Sequence, residues 1–186
     1  TYCLDEVSNH AIALLLACIR RITETHQKIA RGGWDVNPPA AIHRTAGRTL
    51  GLVGLGNIGQ AVARKMGCWG MNLVAADPFV DPSRAQALGV KLVGLDELLA
   101  ESDFVSLHTP LLPETRHLMS QREFSLMKPG AILINTARGP VVDSTALLAA
   151  LDKGKPAMAG LDVFEEEPPP ADSRLRSHQR VILSDH

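Results

Sequence analysis

A glycine-rich segment, Gly54-Leu55-Gly56-Asn57-Ile58-Gly59, follows a short apolar run and leads into a stretch with helical periodicity. The pattern G-x-G-x-x-G between a strand and a helix is typical of a dinucleotide-binding turn. The first glycine permits a tight turn, the second lets the main chain approach a pyrophosphate, and the third lets the helix pack close to the strand. The start of that helix offers free N–H groups to phosphates. Such a hexad alone is weak evidence for a nucleotide site, so the prediction depends on the residues around it.

The next apolar run ends at Asp77, close to the spacing of about 20 residues expected for the ribose-binding carboxylate of such a turn. A carboxylate there can accept hydrogen bonds from an adenosine ribose and would repel a 2′-phosphate. The glycine turn and Asp77 together predict NAD rather than NADP. In the alternative interpretation, the glycines only make a tight turn and Asp77 caps the turn at Pro78.

Beyond Arg48, short apolar runs alternate with helical stretches. Seven runs are predicted strands, at residues 49–53, 71–76, 90–93, 104–108, 131–135, 157–161 and 181–183. Five stretches between them are predicted helices, at residues 58–66, 83–88, 96–100, 121–127 and 144–151. Strands that are apolar throughout and alternate with helices indicate a parallel sheet covered on both faces. We predict a doubly wound α/β fold of the Rossmann type with its core at residues 49–186.

The segment before this core has a helical pattern of its own. Apolar residues recur at helical spacing, at Val7, Ala11, Leu14, Cys18 and Ile22. This stripe predicts one long helix, with Asp5 or Ser8 as its N-cap and Gly32 and Gly33 as its stop. Residues 11–19 are apolar on every side, so they need cover on more than one face, from the same domain, another domain or a second subunit. The polar and proline-bearing residues 35–48 predict a loop.

The chain has 186 residues, and its 19 basic and 20 acidic side chains give a net charge of -1. This balance lacks the basic footprint of a nucleic-acid-binding protein. The longest apolar run, residues 11–19, is about half the length that a bilayer span needs, so no membrane segment is predicted. The three cysteines form no C-x-x-C pair, which favours a reduced, cytoplasmic setting. Because the first residue is Thr1 and not methionine, we expect a processed chain or a piece of a longer one.

Polar residues follow the later predicted strands, at the edge where an open α/β sheet binds ligands: Thr109, Thr136, Arg138, Asp162, Glu167 and His186. Arg138 offers a planar fork that can hold a carboxylate and polarise a neighbouring carbonyl. His186 can exchange a proton with a hydroxyl near neutral pH, and a carboxylate such as Glu167 beside it would favour the imidazolium. Asp162 could accept a hydrogen bond from a nicotinamide carboxamide.

Taken singly, Arg138 is equally well explained as a surface ion-pair partner, Glu167 as one of three solvated glutamates and His186 as an ordinary chain-terminal residue. Their joint placement at one edge therefore carries the prediction. His108 and His117 are predicted to bond the backbone or to lie at the surface, and His10 is assigned no role. No cluster of Cys, His and carboxylates has metal-ligand spacing, so no metal site is predicted.

Five segments resemble the D-isomer-specific 2-hydroxyacid dehydrogenase family, namely residues 5–7, 47–51, 108–113, 135–139 and 161–164. The resemblance implies an NAD-dependent oxidoreductase that interconverts a small 2-keto acid and a D-2-hydroxy acid. It implies catalytic roles for Arg138, Glu167 and His186, with Glu167 chosen over its two neighbouring glutamates because it directly precedes a proline. With Gly54, Gly56, Gly59 and Arg138, the residues expected to contact NAD are Asn57, Ile58, Asp77, Thr109, Thr136, Ala137 and Asp162.

The resemblance also implies that residues 1–186 are the nucleotide-binding domain alone, without the family's substrate domain. Residues 1–34 would then be a connecting and dimerisation helix of a homodimer, and the chain would bind NAD with little turnover. One departure is Asp185, where proline is commoner in the family. Because the family includes the C-terminal binding protein corepressors, an NAD-sensing interaction protein is the alternative function. A third interpretation is a domain for another nucleotide-like ligand, such as S-adenosylmethionine.

Overall fold

A computed structural model of the chain describes residues 3–36 and 44–186. Residues 1–2 and half of the predicted loop at 35–48, namely residues 37–43, lie outside the described residues.

In the part of the chain that the structure describes, seven parallel strands form one sheet in the order β3-β2-β1-β4-β5-β6-β7. They are β1 Thr49–Val53, β2 Asn72–Ala76, β3 Val90–Leu92, β4 Phe104–Leu107, β5 Ile132–Asn135, β6 Met158–Leu161 and β7 Val181–Leu183. The chain winds outward in one direction from β1 to β3 and in the other from β4 to β7, so the predicted doubly wound fold is confirmed. The crevice between the ends of β1 and β4 is the topological switch point.

The helices are α1 Leu4–Arg20, α2 Ile22–Ala30, α3 Asn57–Met66, α4 Pro82–Ala87, α5 Leu95–Glu101, α6 Gln121–Leu126, α7 Ser144–Asp152 and α8 Arg174–Ser177. The five helices predicted after Arg48 and all seven strands agree with the structure to within one residue at each end. The four-residue helix α8 was not predicted.

Hydrophobic layers cover both faces of the sheet. On one face, Leu50 and Ile134 pack in a buried cluster with Leu15 of α1 and with residues of α3 and α4. On the other face, Val105 and Leu133 lie in a second buried cluster with residues of α5, α6 and α7. Alternate residues of each strand therefore enter opposite layers, which explains why the strands are apolar throughout.

The prediction of one long N-terminal helix is wrong, because Arg21 breaks it into α1 and α2. Arg21 has a left-handed backbone conformation with φ 52°, and its N–H donates to the Cys18 carbonyl at 3.1 Å. Its Nε donates to Glu24 Oε2 at 2.7 Å. The last buried residue of α1 is Ile19, and α2 buries none of its described residues. Beyond the sheet, packing no longer holds the two helices on one axis.

The predicted N-cap is also wrong. α1 begins at Leu4 after Cys3, and the buried Ser8 donates its hydroxyl to the Leu4 carbonyl at 2.7 Å. The sheet and α3 cover one face of α1, whereas Ala13 on the opposite face is exposed and Leu16 is partly buried. None of the helices among the described residues has the length and apolar character needed to cross a membrane.

Candidate functional site

The glycine turn lies between β1 and α3, with Gly54 and Gly59 held by close main-chain contacts. Gly54 has φ +93°, and a Cβ atom added to it would lie 2.9 Å from the His108 carbonyl. A Cβ atom on Gly59 would lie only 2.4 Å from the Gly54 carbonyl oxygen. By contrast, a Cβ atom on Gly56 would meet nothing within 4 Å. Two glycines are therefore required by packing, while the space beside Gly56 is open to a ligand.

α3 starts directly on this turn. Gly56 is its N-cap and Asn57 and Ile58 are its first residues, so their N–H groups are among those that a helix start leaves without an intrahelical partner. These N–H groups and the positive end of the helix dipole suit a phosphate.

A cleft of about 710 Å³ opens beside the turn, between the ends of β1, β2 and β4. Asp77 lines it and accepts two main-chain hydrogen bonds, from Leu55 N at 2.7 Å and from Phe79 N at 2.9 Å. Asp77 thus stabilises the following turn, as its alternative interpretation requires, and also presents a carboxylate to the cleft. Because each carboxylate oxygen has two acceptor positions, it retains capacity for ribose hydroxyls.

Three buried polar atoms near this edge have no hydrogen-bond partner among the described residues: His108 Nε2, Thr109 Oγ1 and Thr136 Oγ1. Such atoms are costly unless a ligand or water satisfies them. His108 and Thr109 line the cleft, and burial lowers the pKa of His108 to about 4, which keeps its imidazole neutral. The prediction that His108 bonds the backbone or lies at the surface is therefore wrong. The open glycine turn, the carboxylate and the unpaired polar atoms fit a dinucleotide.

Buried Asn135, which sequence reasoning did not single out, shapes the turn after β5. Its Nδ2 donates to the Arg138 carbonyl and its Oδ1 accepts from Ala137 N, both at 3.0 Å. The turn exposes Arg138, whose Nη1 donates to the Ala137 carbonyl at 2.6 Å. Thr136, Ala137 and Arg138 are thus fixed by a side chain beneath them.

Glu167 and His186 form the closest contact among the proposed catalytic residues. Glu167 Oε2 lies 3.0 Å from His186 Nδ1, and its Oε1 accepts from Phe164 N at 2.9 Å. The hydrogen bonds from His186 and Phe164, together with the charges of His186 and Arg138, hold the pKa of Glu167 below its usual range. Both side chains line a hollow of about 490 Å³ that Arg138 does not line.

The side chains of two other residues contact the Asp162 carboxylate. Its Oδ1 accepts from Ser184 Oγ at 2.7 Å and lies 3.0 Å from His10 Nε2, while His10 and Ser184 are 2.8 Å apart. His10 lies on α1, far from Asp162 in sequence, so no local pattern could have linked them.

The chain matches the sequence model described as "D-isomer specific 2-hydroxyacid dehydrogenase, NAD binding domain" over residues 12–186. It is 43% identical over 179 residues to D-3-phosphoglycerate dehydrogenase 2, chloroplastic, of Arabidopsis thaliana, covering 96% of this chain and 28% of the relative. It is 44% identical to glyoxylate reductase of Korarchaeum cryptofilum, covering 98% of this chain and 56% of the relative.

Among solved structures, D-lactate dehydrogenase with NAD+ from Lactobacillus jensenii aligns with a TM-score of 0.91 and 33% identity, covering 100% of this chain and 59% of that one. The chain therefore spans less than two thirds of the length of each of these three proteins.

Proposed function

Since this chain belongs to the D-isomer-specific 2-hydroxyacid dehydrogenase family through its NAD-binding domain, we propose that it serves hydride transfer between a small 2-keto acid and a D-2-hydroxy acid. One juxtaposition carries the proposal. Both the cleft beside the glycine turn and the Glu167–His186 pair lie at the carboxyl edge of the same parallel sheet. A nicotinamide cofactor and a proton donor would thereby meet at one edge.

In this proposal Gly54, Gly56, Gly59, Asn57 and Ile58 receive the pyrophosphate, and Asp77 binds the adenosine ribose. The turns after β4, β5 and β6 contact the remainder of NAD through Thr109, Thr136, Ala137, Arg138 and Asp162. Unpaired hydroxyls on both threonines and the open space beside Gly56 support these roles.

Bound NAD supplies the hydride acceptor or donor. Arg138 holds the substrate carboxylate and polarises the adjacent carbonyl, as its exposed guanidinium allows. His186 gives a proton to the carbonyl oxygen or removes one from the hydroxyl. Because its Nδ1 faces Glu167, the proton is exchanged at Nε2. The Glu167 carboxylate stabilises the imidazolium and fixes the ring orientation.

We further propose that residues 49–186 form the nucleotide-binding core and residues 1–34 a connecting and dimerisation segment. The chain spans 28% to 59% of the three proteins compared above, so we expect turnover to need the remainder of the length that such proteins have. These proteins carry the names of dehydrogenases and reductases, which does not favour the NAD-sensing alternative.

Calorimetric titration of this chain with NADH and with NADPH tests the cofactor assignment. NADH should bind more tightly, and tighter binding of NADPH would contradict the role of Asp77. Turnover is then followed with the full-length protein and glyoxylate, hydroxypyruvate or 3-phosphohydroxypyruvate. NAD-dependent assembly without turnover of any of these acids would favour the sensing alternative.

A homodimer is proposed from the apolar residues that the described fold leaves uncovered. Ile22 and Ile29 of α2 are 55% and 49% exposed. Light scattering at micromolar concentration should give twice the 20.0 kDa chain mass, and a monomer would contradict the proposal. A cytoplasmic setting is supported by the free thiols of Cys3, Cys18 and Cys68 and is tested by fractionation of cells that express the protein.

A further inference from the structure

The loop after β6, residues 162–167, contains three consecutive glutamates with different surroundings. Glu165 Oε1 lies 2.6 Å from His117 Nε2, and its Oε2 accepts from Ser144 N at 2.8 Å. Burial raises the pKa of Glu165, but the hydrogen bonds from Ser144 and His117 outweigh it and hold this pKa below the usual range. Glu166 is exposed and makes no hydrogen bond or ion pair with the described residues. Glu165 is thus anchored by contacts with other segments, whereas Glu166 beside it is exposed.

His117 joins this loop to the one after β5. Its N–H donates to the Pro140 carbonyl at 2.8 Å, two residues beyond Arg138, while its imidazole contacts Glu165. Its φ of 52° is left-handed, a conformation that costs a non-glycine residue about 1 kcal/mol and therefore needs support from the surroundings. The Asp143 carboxylate also faces His117: a hydrogen bond from Ala146 N is the main cause of its low pKa, and the charge of His117 adds to it.

The two loops also touch through their main chains. A Cβ atom on Gly139 would lie 1.8 Å from the Phe164 carbonyl oxygen, so only glycine permits this approach beside Arg138. The N–H of the same Phe164 donates to Glu167 Oε1. Any shift of Phe164 would therefore change the position of Glu167 relative to both Arg138 and His186.

From these contacts we infer that Glu165 and His117 form a clamp that fixes the Glu167 loop against the Arg138 loop. They act as positioning residues, since neither contacts the Glu167–His186 pair directly. The clamp holds Phe164 against Gly139, and Phe164 in turn holds the Glu167 carboxylate toward His186. This assignment rests on the proposed function for its catalytic meaning, although the clamp itself is tested without cofactor or turnover.

The test compares Glu165→Ala with Glu166→Ala, which removes the same charge one residue away. The pKa of Glu167 is followed by the carboxyl ¹³C resonance of the labelled chain. Loss of a nearby negative charge alone lowers the pKa of Glu167 in both variants. Loss of the clamp has the opposite sign, because Glu167 would lose hydrogen bonds that favour its charged form. We expect the pKa of Glu167 to rise in Glu165→Ala and to fall or stay constant in Glu166→Ala.

A second variant covers the case in which Glu165→Ala does not fold. His117→Asn keeps a residue that tolerates the left-handed conformation and retains the N–H bond to Pro140, but it cannot reach Glu165. The pKa of Glu167 should rise in this variant too. A constant or lower pKa of Glu167 in the folded variants would overturn the clamp. The measurement needs no NADH, so it tests the clamp separately from the proposed function. Either hypothesis can be contradicted while the other stands.

Discussion

The two ends of the proposed site are built in different ways. Beside the glycine turn, main-chain contacts and burial set the geometry, and His108 is kept neutral with a pKa of about 4. At the other end, side chains of separate loops meet near the surface, and the His186 side chain is 52% exposed. The first end is specified locally by glycine spacing, whereas the second depends on contacts between distant segments. The cofactor end is expected to be rigid and the catalytic end to depend on positioning residues.

The largest effect is expected from Gly59→Ala. Its Cβ atom would lie 2.4 Å from the Gly54 carbonyl oxygen, a main-chain atom that cannot rotate away as the end of a flexible side chain can. Overpacking of this kind should lower the free energy of unfolding by about 3 kcal/mol, measured by urea denaturation.

Gly56→Ala is the matched control for that change. It adds the same methyl group two residues away, into open space, so the free energy of unfolding should change by only about 0.5 kcal/mol. NADH affinity should nevertheless fall, because the methyl group enters the proposed phosphate position. Equal destabilisation by both variants would show that packing does not distinguish the two glycines.

The buried His108 predicts a pH dependence of stability. Its pKa is about 4 in the folded chain and about 6.5 in an unfolded one, so the unfolded state binds the extra proton between these values. The stability from the neutral imidazole is present above pH 6.5 and is lost as the pH falls toward 4. At pH 5 the loss is about 2 kcal/mol.

Chemical denaturation of the parent chain and of His108→Gln, at pH 7 and at pH 5, isolates this contribution. Other groups titrate in both proteins, so only the difference between their slopes reports on His108. Parallel pH profiles would mean that this imidazole is not held neutral by burial.

The same contrast explains how much could be predicted from the sequence. β1 was predicted with its correct ends, and the glycine turn was predicted with its packing roles, because both depend on neighbouring residues. The break at Arg21 cannot be predicted in this way, since no glycine or proline marks it and the apolar spacing continues through Ile22. The buried residues of α1 end at Ile19 and α2 has none among its described residues, a boundary that no local pattern records.

At the site, the sequence pattern indicates the residues that follow the strands but not the side chains that hold them in position. The sequence pattern marks Asn135 only as the end of a strand, although its amide holds the Arg138 turn. His10 and His117 lie 152 and 48 residues from the carboxylates that they contact, so their roles appear only in the folded chain. Local spacing finds the groups that face a ligand, and tertiary packing selects the groups that orient them.

A smaller effect is expected from Asp77→Ala at the cofactor end. Loss of charged hydrogen bonds to the ribose should weaken NADH binding by about 1.5 kcal/mol, roughly tenfold, in a calorimetric titration. Asp81→Ala is the control, because Asp81 is a nearby carboxylate that caps α4 and does not line the cleft. A similar loss in Asp81→Ala would assign the effect to charge and not to ribose contact.

The smallest effect is expected from His10→Ala, which loosens Asp162 at the nicotinamide end. The effect is small because Ser184 still donates to Asp162 Oδ1 and because His10 is 41% exposed. NADH affinity should fall by about 0.5 kcal/mol, roughly twofold. A parallel titration with ADP-ribose, which lacks the nicotinamide, shows whether this loss of affinity comes from the nicotinamide end.

If the two ends act separately, His10→Ala should leave ADP-ribose affinity constant, whereas Asp77→Ala should weaken NADH and ADP-ribose alike. This difference between the two variants is expected from the positions of the two carboxylates. Asp77 follows β2 and Asp162 follows β6, on opposite sides of the switch point between β1 and β4. Equal loss of both ligands in His10→Ala would mean that α1 acts on the whole cleft through its packing against the sheet. The division between a main-chain end and a side-chain end would then have to be abandoned.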